Sequence, residues 1–332
     1  MKKIIAILVG IVLTIQLSSC TANKKPEVLI PETTPTPTPT ITDTPKSNTP
    51  DEDKTSSTDE VDNPDTEDAE DTSKEGIPGD DTDVTVDNNN PTKSTNTPST
   101  NLSNEKIGSW QPGTNKEHRV PSLNTKYKTL LDKYGGYFVG DTSEKVIYLT
   151  FDEGYENGFT GKILDILKEN NVKAAFFVTK PYIRSNPVLV KRMVNEGHIV
   201  GNHSSTHPNM PYISDEEVKC ELTDTADYFK EVTGHNMPKY FRPPEGVWSE
   251  RTLYITQSLG YKTILWSMAH KDWDPKNQPG KAASMKFVDT YYHNGAILLL
   301  HAVSQSNTEA LPDIINNMQD AGYRFAPLSE LK

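Results

Sequence analysis

The chain has 332 residues, 34% of them hydrophobic and 8% aromatic, with two cysteines and a formal net charge of −12. Two cysteines exclude a disulfide-stapled scaffold, and the absence of any basic cluster gives no reason to expect nucleic acid as a partner. The charge is unevenly placed: residues 21–105 hold 20 acidic and 6 basic side chains, whereas residues 106–332 hold 26 of each. The acidity therefore belongs to one segment and says nothing about what the remainder binds.

Lys2 and Lys3 precede an apolar stretch over residues 4–15, too short to span a bilayer comfortably, so residues 1–19 read as an export signal. The stretch Leu17-Ser18-Ser19-Cys20 resembles the lipobox of bacterial lipoproteins. That resemblance implies a mature chain beginning at an acylated Cys20, anchored to the outer face of the cytoplasmic membrane. With Cys20 lipidated, Cys220 has no intramolecular disulfide partner; it reads as a small buried hydrophobe inside a helix. An ordinary secretory signal is the alternative. Residues 20–106 form a linker of Thr, Pro, Ser, Asn, Asp and Glu that cannot bury enough apolar surface to fold and reads as disordered. A flexible coil of that length spans about 50 Å, further when like charges repel, so it serves as a stalk or spacer.

From residue 107 the composition becomes that of a folded unit, with a less regular extension over 107–139 and the main domain over 140–332. Short apolar runs at 146–151, 174–179, 198–202, 239–242, 261–267, 296–301 and 323–327 read as strands. Amphipathic stretches at 158–170, 187–196, 215–233, 249–259, 282–293 and 308–321 read as helices. Ser214 ahead of Asp215-Glu216-Glu217 is a helix N-cap, and Gly197, Gly234, Gly260 and Gly322 are helix stops. Strands and helices in alternation imply a parallel sheet, open or closed, in an α/β fold.

Chemistry-bearing residues gather at the carboxyl ends of these strands, where parallel α/β folds place their sites. Asp152 and Glu153 follow the first strand, His203 the third, Arg242-Pro243-Pro244 the fourth, Asp272-Trp273 the fifth, and His301 ends the sixth. His203 and His207, four apart, with one of the two acids make a two-histidine, one-carboxylate metal set, leaving the other acid free to act on a metal-bound water. That is the outline of a metallohydrolase. For amide hydrolysis, Zn²⁺ or another divalent ion held by His203, His207 and an acid would activate water and polarise the carbonyl. Asp152 would take the water's proton, with Arg242 keeping it ionised. His301 would protonate the leaving amine, and Asp272 would raise its pKa by charge pairing. Trp273 and Tyr155 offer apolar walls for an acetyl methyl or a sugar face. His198 reads as structural, and His270 and His293 as surface or supporting residues.

In order, Thr150-Phe151-Asp152-Glu153-Gly154, His203-Ser204-Ser205-Thr206-His207, Arg242-Pro243-Pro244, Asp272-Trp273 and Leu298-Leu299-Leu300-His301 resemble the five motifs of the polysaccharide deacetylases, carbohydrate esterase family four. The resemblance runs from about residue 140 to 331 and implies a distorted (β/α)-barrel with about seven parallel strands. It implies metal ligation by Glu153, His203 and His207, catalysis by Asp152, Arg242, Asp272 and His301, and substrate contact by Tyr155, Pro243, Trp273 and Leu298. Flanking words such as Glu153-Gly154-Tyr155-Glu156-Asn157-Gly158 and His301-Ala302-Val303-Ser304, with Asn307, look most like the enzymes that deacetylate N-acetylmuramic acid in peptidoglycan toward the muramic δ-lactam of spore cortex. N-acetylglucosamine deacetylation and a non-catalytic, glycan-binding lipoprotein are the alternatives. Two positions depart from the family pattern: Glu153 stands where the broad family has aspartate, and Ala269 where some members carry a further acid. With no coiled-coil pattern, the chain reads as a monomer.

Overall fold

A computed structural model describes residues 101–107, 110–112 and 116–331. The export signal, Cys20 and nearly all of the 20–106 linker lie outside the described residues.

The described elements run in chain order as α1 (Thr125–Lys133), β1 (Gly136–Tyr137), β2 (Val146–Glu153), α2 (Thr160–Glu169), β3 (Ala175–Val178), α3 (Lys180–Ser185), α4 (Pro187–Asn195) and β4 (Ile199–Asn202). There follow α5 (Asp215–Thr233), β5 (Tyr240–Phe241), α6 (Glu250–Ser258), β6 (Lys262–Ile264), α7 (Lys281–Tyr291), β7 (Ala296–His301), α8 (Gln305–Asp320) and β8 (Arg324–Phe325). Each of the seven expected strands and six expected helices is present. Helix α1 went unrecognised because its sequence is lysine-rich and buries only Leu131, so it has no apolar stripe to read; α3 is a six-residue turn of helix.

The sheet order is β1-β6-β5-β4-β3-β2-β7, with β8 also on β2, and every pair is parallel. The sheet curls until β7 meets the chain leaving β6: Ser267 donates to the Ile297 carbonyl at 3.0 Å, and Leu299 to that of Met268 at 2.9 Å. The result is an α/β barrel of seven strands plus the short β1, as the family resemblance implies; the strand pattern alone leaves the sheet open or closed. All eight residues of β2 are buried, which explains its unbroken apolar run: a parallel strand covered on both faces has no polar side to alternate with.

Side chains of a strand alternate between faces, and β2 shows what each face meets. Val146 and Tyr148 pack with Phe177, Ile264 and Leu299. Ile147, Leu149 and Phe151 pack outward against Ile163 and Leu167 of α2 and Ile314 and Ile315 of α8. Each such buried side chain contributes roughly 1.5–3 kcal/mol. This parity decides the orientation of everything at the strand's end.

The 107–139 extension is packed against the barrel. Ile107 pairs with Trp248, and Trp110, nearly fully buried, donates its indole N–H to the Trp266 carbonyl at 2.7 Å. Helix α5 begins with the expected cap, a reciprocal box in which Ser214 and Glu217 satisfy each other's backbone N–H, worth about 1 kcal/mol. It ends at Gly234 with φ 77°. Three expectations on isolated residues resolve differently. His198 is structural, its Nδ1 accepting from the Ala174 N–H at 3.2 Å, but His293 is fully buried and not on the surface. Cys220 is half-buried on α5; the other cysteine, Cys20, lies outside the described residues.

Candidate active site

Asp152 and His301 are register partners on β2 and β7, so two adjacent strands deliver a carboxylate and an imidazole to one mouth. On the parity of β2, Thr150 and Asp152 share the face of Tyr148. Arg242, leaving β5, reaches both: Nη1 donates to Asp152 Oδ1 at 2.8 Å, and Nη2 to Thr150 Oγ1 at 2.9 Å. Its Nε donates to the Ile264 carbonyl at 3.1 Å, and its plane lies 4.2 Å from the Phe177 ring centroid. The guanidinium is fully buried, a position it holds only because the carboxylate neutralises it and oxygens satisfy its donors. Burial pushes the Asp152 pKa up, but its interaction with Arg242 above all, then with His203 and His301, outweighs it and holds the carboxyl below its ordinary value. Asp152 is thus ionised at neutral pH. Thr150 was not singled out from sequence, although it opens the Thr-Phe-Asp word itself.

His203 follows β4. Its Nδ1 lies 2.9 Å from the Arg242 carbonyl, which only accepts, so the proton sits on Nδ1 and the Nε2 lone pair is left free. Burial lowers its pKa to about 4 despite Asp152, so the ring is neutral, and its Nε2 lies 3.7 Å from Asp152 Oδ2. His207 presents its ring edge to His203 with centroids 4.9 Å apart. The loop carrying both histidines is strained: Ser204 and His207 have φ of 71° and 58°, costing of order 1–3 kcal/mol each. Glu221 of α5 offsets this by accepting from the Ser205 and Thr206 N–H groups, each at 2.7 Å. Nothing in the sequence, sixteen residues from Ser205, signals that role for Glu221.

Glu153 is not brought to the histidines. By parity it shares the outward face of Phe151. There its carboxyl accepts from Thr160 Oγ1 of α2 at 3.3 Å, beside Glu156 and Tyr182. Burial first, then the Glu156 charge, raises its pKa well above the ordinary value, which favours its protonated form in the helix layer. Leu298 is corrected by the same rule: it lies fully buried in the outer core with Leu300, and does not face substrate. Pro243 is buried beside Arg242, whereas Tyr155 and Trp273 are 52% and 50% exposed.

His301 is oriented by Asp272, whose Oδ1 lies 2.7 Å from its Nδ1 and whose Oδ2 accepts from its backbone N–H at 2.9 Å. Asp272 is buried, while the imidazole is 25% exposed. Burial lowers the His301 pKa, but the hydrogen bond and charge of Asp272, aided by Asp152, prevail and raise it. Trp273 stands at the rim, its ring centroid 5.9 Å from that of His301. One mouth therefore holds an ionised carboxylate, a protonatable imidazole and two further imidazoles, of which that of His203 is neutral. His203 and His207 fit a borderline divalent ion such as zinc: both are nitrogen donors, and His203 has the backbone-anchored Nδ1–H of a metal-ligating histidine. The expected third ligand does not fit, and among the described residues no cluster of three His, Cys, Asp or Glu side chains forms a cation cage.

Residues 139–264 match the family model described as polysaccharide deacetylase. The chain is 42% identical over 228 residues, 69% of its length and 86% of the relative's, to the peptidoglycan-N-acetylmuramic acid deacetylase PdaA of Bacillus subtilis. The solved structure of PdaA, a family 4 carbohydrate esterase, superposes with a TM-score of 0.67 over 69% of this chain and 98% of that one. A peptidoglycan-N-acetylglucosamine deacetylase of Bacillus cereus is 32% identical over 60% of this chain and 73% of its own. The chain belongs to the polysaccharide deacetylases of carbohydrate esterase family four, hydrolases that cleave the amide of an N-acetyl group.

Proposed function

We propose that the protein removes acetyl from amino sugars of peptidoglycan, N-acetylmuramic acid foremost, on the way to muramic δ-lactam. The observation that carries the chemistry is the in-register pair Asp152 and His301, each with its own buried partner, Arg242 and Asp272. Asp152, kept ionised, accepts a proton from the attacking water. His301, kept protonatable, gives one to the departing amine, so the products are acetate and a free amino sugar. Opposite charges on the two groups make the assignment one-way, since a base must start ionised and an acid must start protonated. A divalent ion held by His203 and His207 would acidify the attacking water and polarise the acetyl carbonyl. The exposed ring of Trp273, at the rim beside His301, is placed to pack against the sugar or the acetyl methyl.

Support for the muramic substrate is the greater identity to the muramic acid enzyme than to the glucosamine one, 42% against 32%. Glucosamine remains the competing substrate. To decide between them, purified peptidoglycan is treated with the protein, digested, and its muropeptides sequenced by tandem mass spectrometry. Loss of acetyl from the muramic residue supports the reading, and loss confined to glucosamine overturns it. We further propose that Cys20 is lipidated and anchors the chain outside the cytoplasmic membrane. A thioether to lipid uses the thiol that a bridge to Cys220 needs, so the intact mass of the native protein decides between the two.

A further inference from the structure

Asn307 lies three residues beyond Ser304, the N-cap of α8, whose hydroxyl accepts from its backbone N–H at 3.1 Å. Its side chain is buried and faces two ways. On one side Nδ2 donates to Asp272 Oδ2. On the other, Oδ1 accepts from Ser284 Oγ of α7 at 3.0 Å and lies 3.1 Å from His270 Nε2. Chemistry fixes this orientation of the amide, because an oxygen turned toward the carboxylate would be repelled and the nitrogen would have no acceptor at His270 if that ring nitrogen is protonated.

Asp272 therefore takes three donors: the His301 backbone N–H, His301 Nδ1–H and the Asn307 amide. Two of the three belong to the residue being oriented. Asn307 alone comes from another element, so it alone fixes the carboxylate independently of His301. A second side chain ties the parts together: Gln278 donates to the Asp272 and Asp274 carbonyls, each at 2.8 Å, and accepts from Ser304 Oγ at 2.6 Å. The loop that carries Asp272 and the helix that carries Asn307 are thus held as one piece.

We propose that Asn307 is a positioning residue for deacetylation: it holds the Asp272 carboxylate in the orientation that keeps His301 Nδ1–H engaged and Nε2 turned to the cleft. This rests on the reading of His301 as proton donor. Asn307 also draws negative charge from Asp272 and so moderates its pull on the imidazolium. The charged groups facing His301 are Asp272 from the loop after β6, Asp152 from β2 and Arg242 from the chain after β5.

The test measures kcat and KM against pH, together with Tm, for the full chain carrying Asn307→Ala, Asn307→Asp or His301→Ala. In Asn307→Ala, kcat falls about tenfold or more while KM holds within about twofold. The alkaline limb of Asn307→Ala also moves up, because Asp272 no longer shares its charge with the amide, while in Asn307→Asp the added carboxyl beside Asp272 stays protonated, still donates, and recovers part of kcat. A purely packing role predicts losses that track Tm with the alkaline limb unmoved, and that result overturns the proposal, as does wild-type kcat in both variants. If the Asn307 variants do not fold, Ser284→Ala, which removes one donor anchoring the amide, is measured instead; a reduced kcat there supports the proposal and an unchanged one overturns it. Full activity in His301→Ala contradicts the proton-donor reading itself, whereas activity lost in His301→Ala but kept in the Asn307 variants contradicts only the positioning role.

Discussion

At the scale of single residues, Arg242 and Asp152 show how a buried charge pair serves chemistry. Removing the arginine would leave a buried carboxylate without its partner, a loss of about 3–5 kcal/mol; a lysine keeps the charge but cannot reach Asp152, Thr150 and the Ile264 carbonyl together. For Arg242→Lys the expected outcome is a folded protein whose kcat/KM falls about a hundredfold. Its acid limb moves up in pH, because Asp152 loses part of what lowers its pKa. The wild-type profile is a bell. Its acid side lies at or below about pH 4, where His203 takes a proton and Asp152 approaches neutrality. Its alkaline side lies above the ordinary histidine value of 6.5, because His301 is raised. A pH series of kcat/KM checks both limbs; an alkaline limb below 6.5 would contradict the Asp272 pairing.

At the scale of elements, the alternation along β2 sorts Asp152 from Glu153, and it makes a prediction about stability. The folded pKa of Glu153 is raised above its unfolded value. Its stabilising contribution is therefore complete below the ordinary carboxyl value of 4.5 and is lost as pH rises toward the folded one. Glu153→Gln keeps the shape and removes the titration, so in metal-free protein its Tm relative to wild type climbs as pH is raised from 5 to 9 (about a few degrees by the upper end). A pH-independent difference would mean that Glu153 is ionised where it lies. The strands, the longer helices and the placement of Asp152, both histidines, Arg242, Asp272 and His301 at strand ends were legible in the sequence because each rests on local signals: apolar runs, caps, and motifs at strand ends. Glu153 and Leu298 were misplaced because the motif names a position without its parity, although counting from Tyr148 or Leu299 puts both on the outward face. Glu221 and the three-donor grip on Asp272 join residues distant in sequence, which no local pattern exposes.

At the scale of the whole molecule, the 107–139 extension belongs to the barrel's core. The Trp110 ring meets Phe138 and Trp248, with centroids 5.8 and 6.3 Å away. A Cβ added at Gly246, where φ is 65°, would come within 2.7 Å of the Trp110 side chain. Trp110→Ala should cost about 3–5 kcal/mol, measured by urea unfolding, and a chain beginning at residue 140 should lose most of its cooperative transition. The most direct test of the central claim is acetate released from purified peptidoglycan by wild type, Asp152→Asn and His203→Ala under one set of conditions with divalent metal supplied. Wild type is expected to sustain release, and both variants, each remaining folded, to fall by at least about a hundredfold. No release by wild type with any divalent ion, or undiminished release by Asp152→Asn, would contradict it.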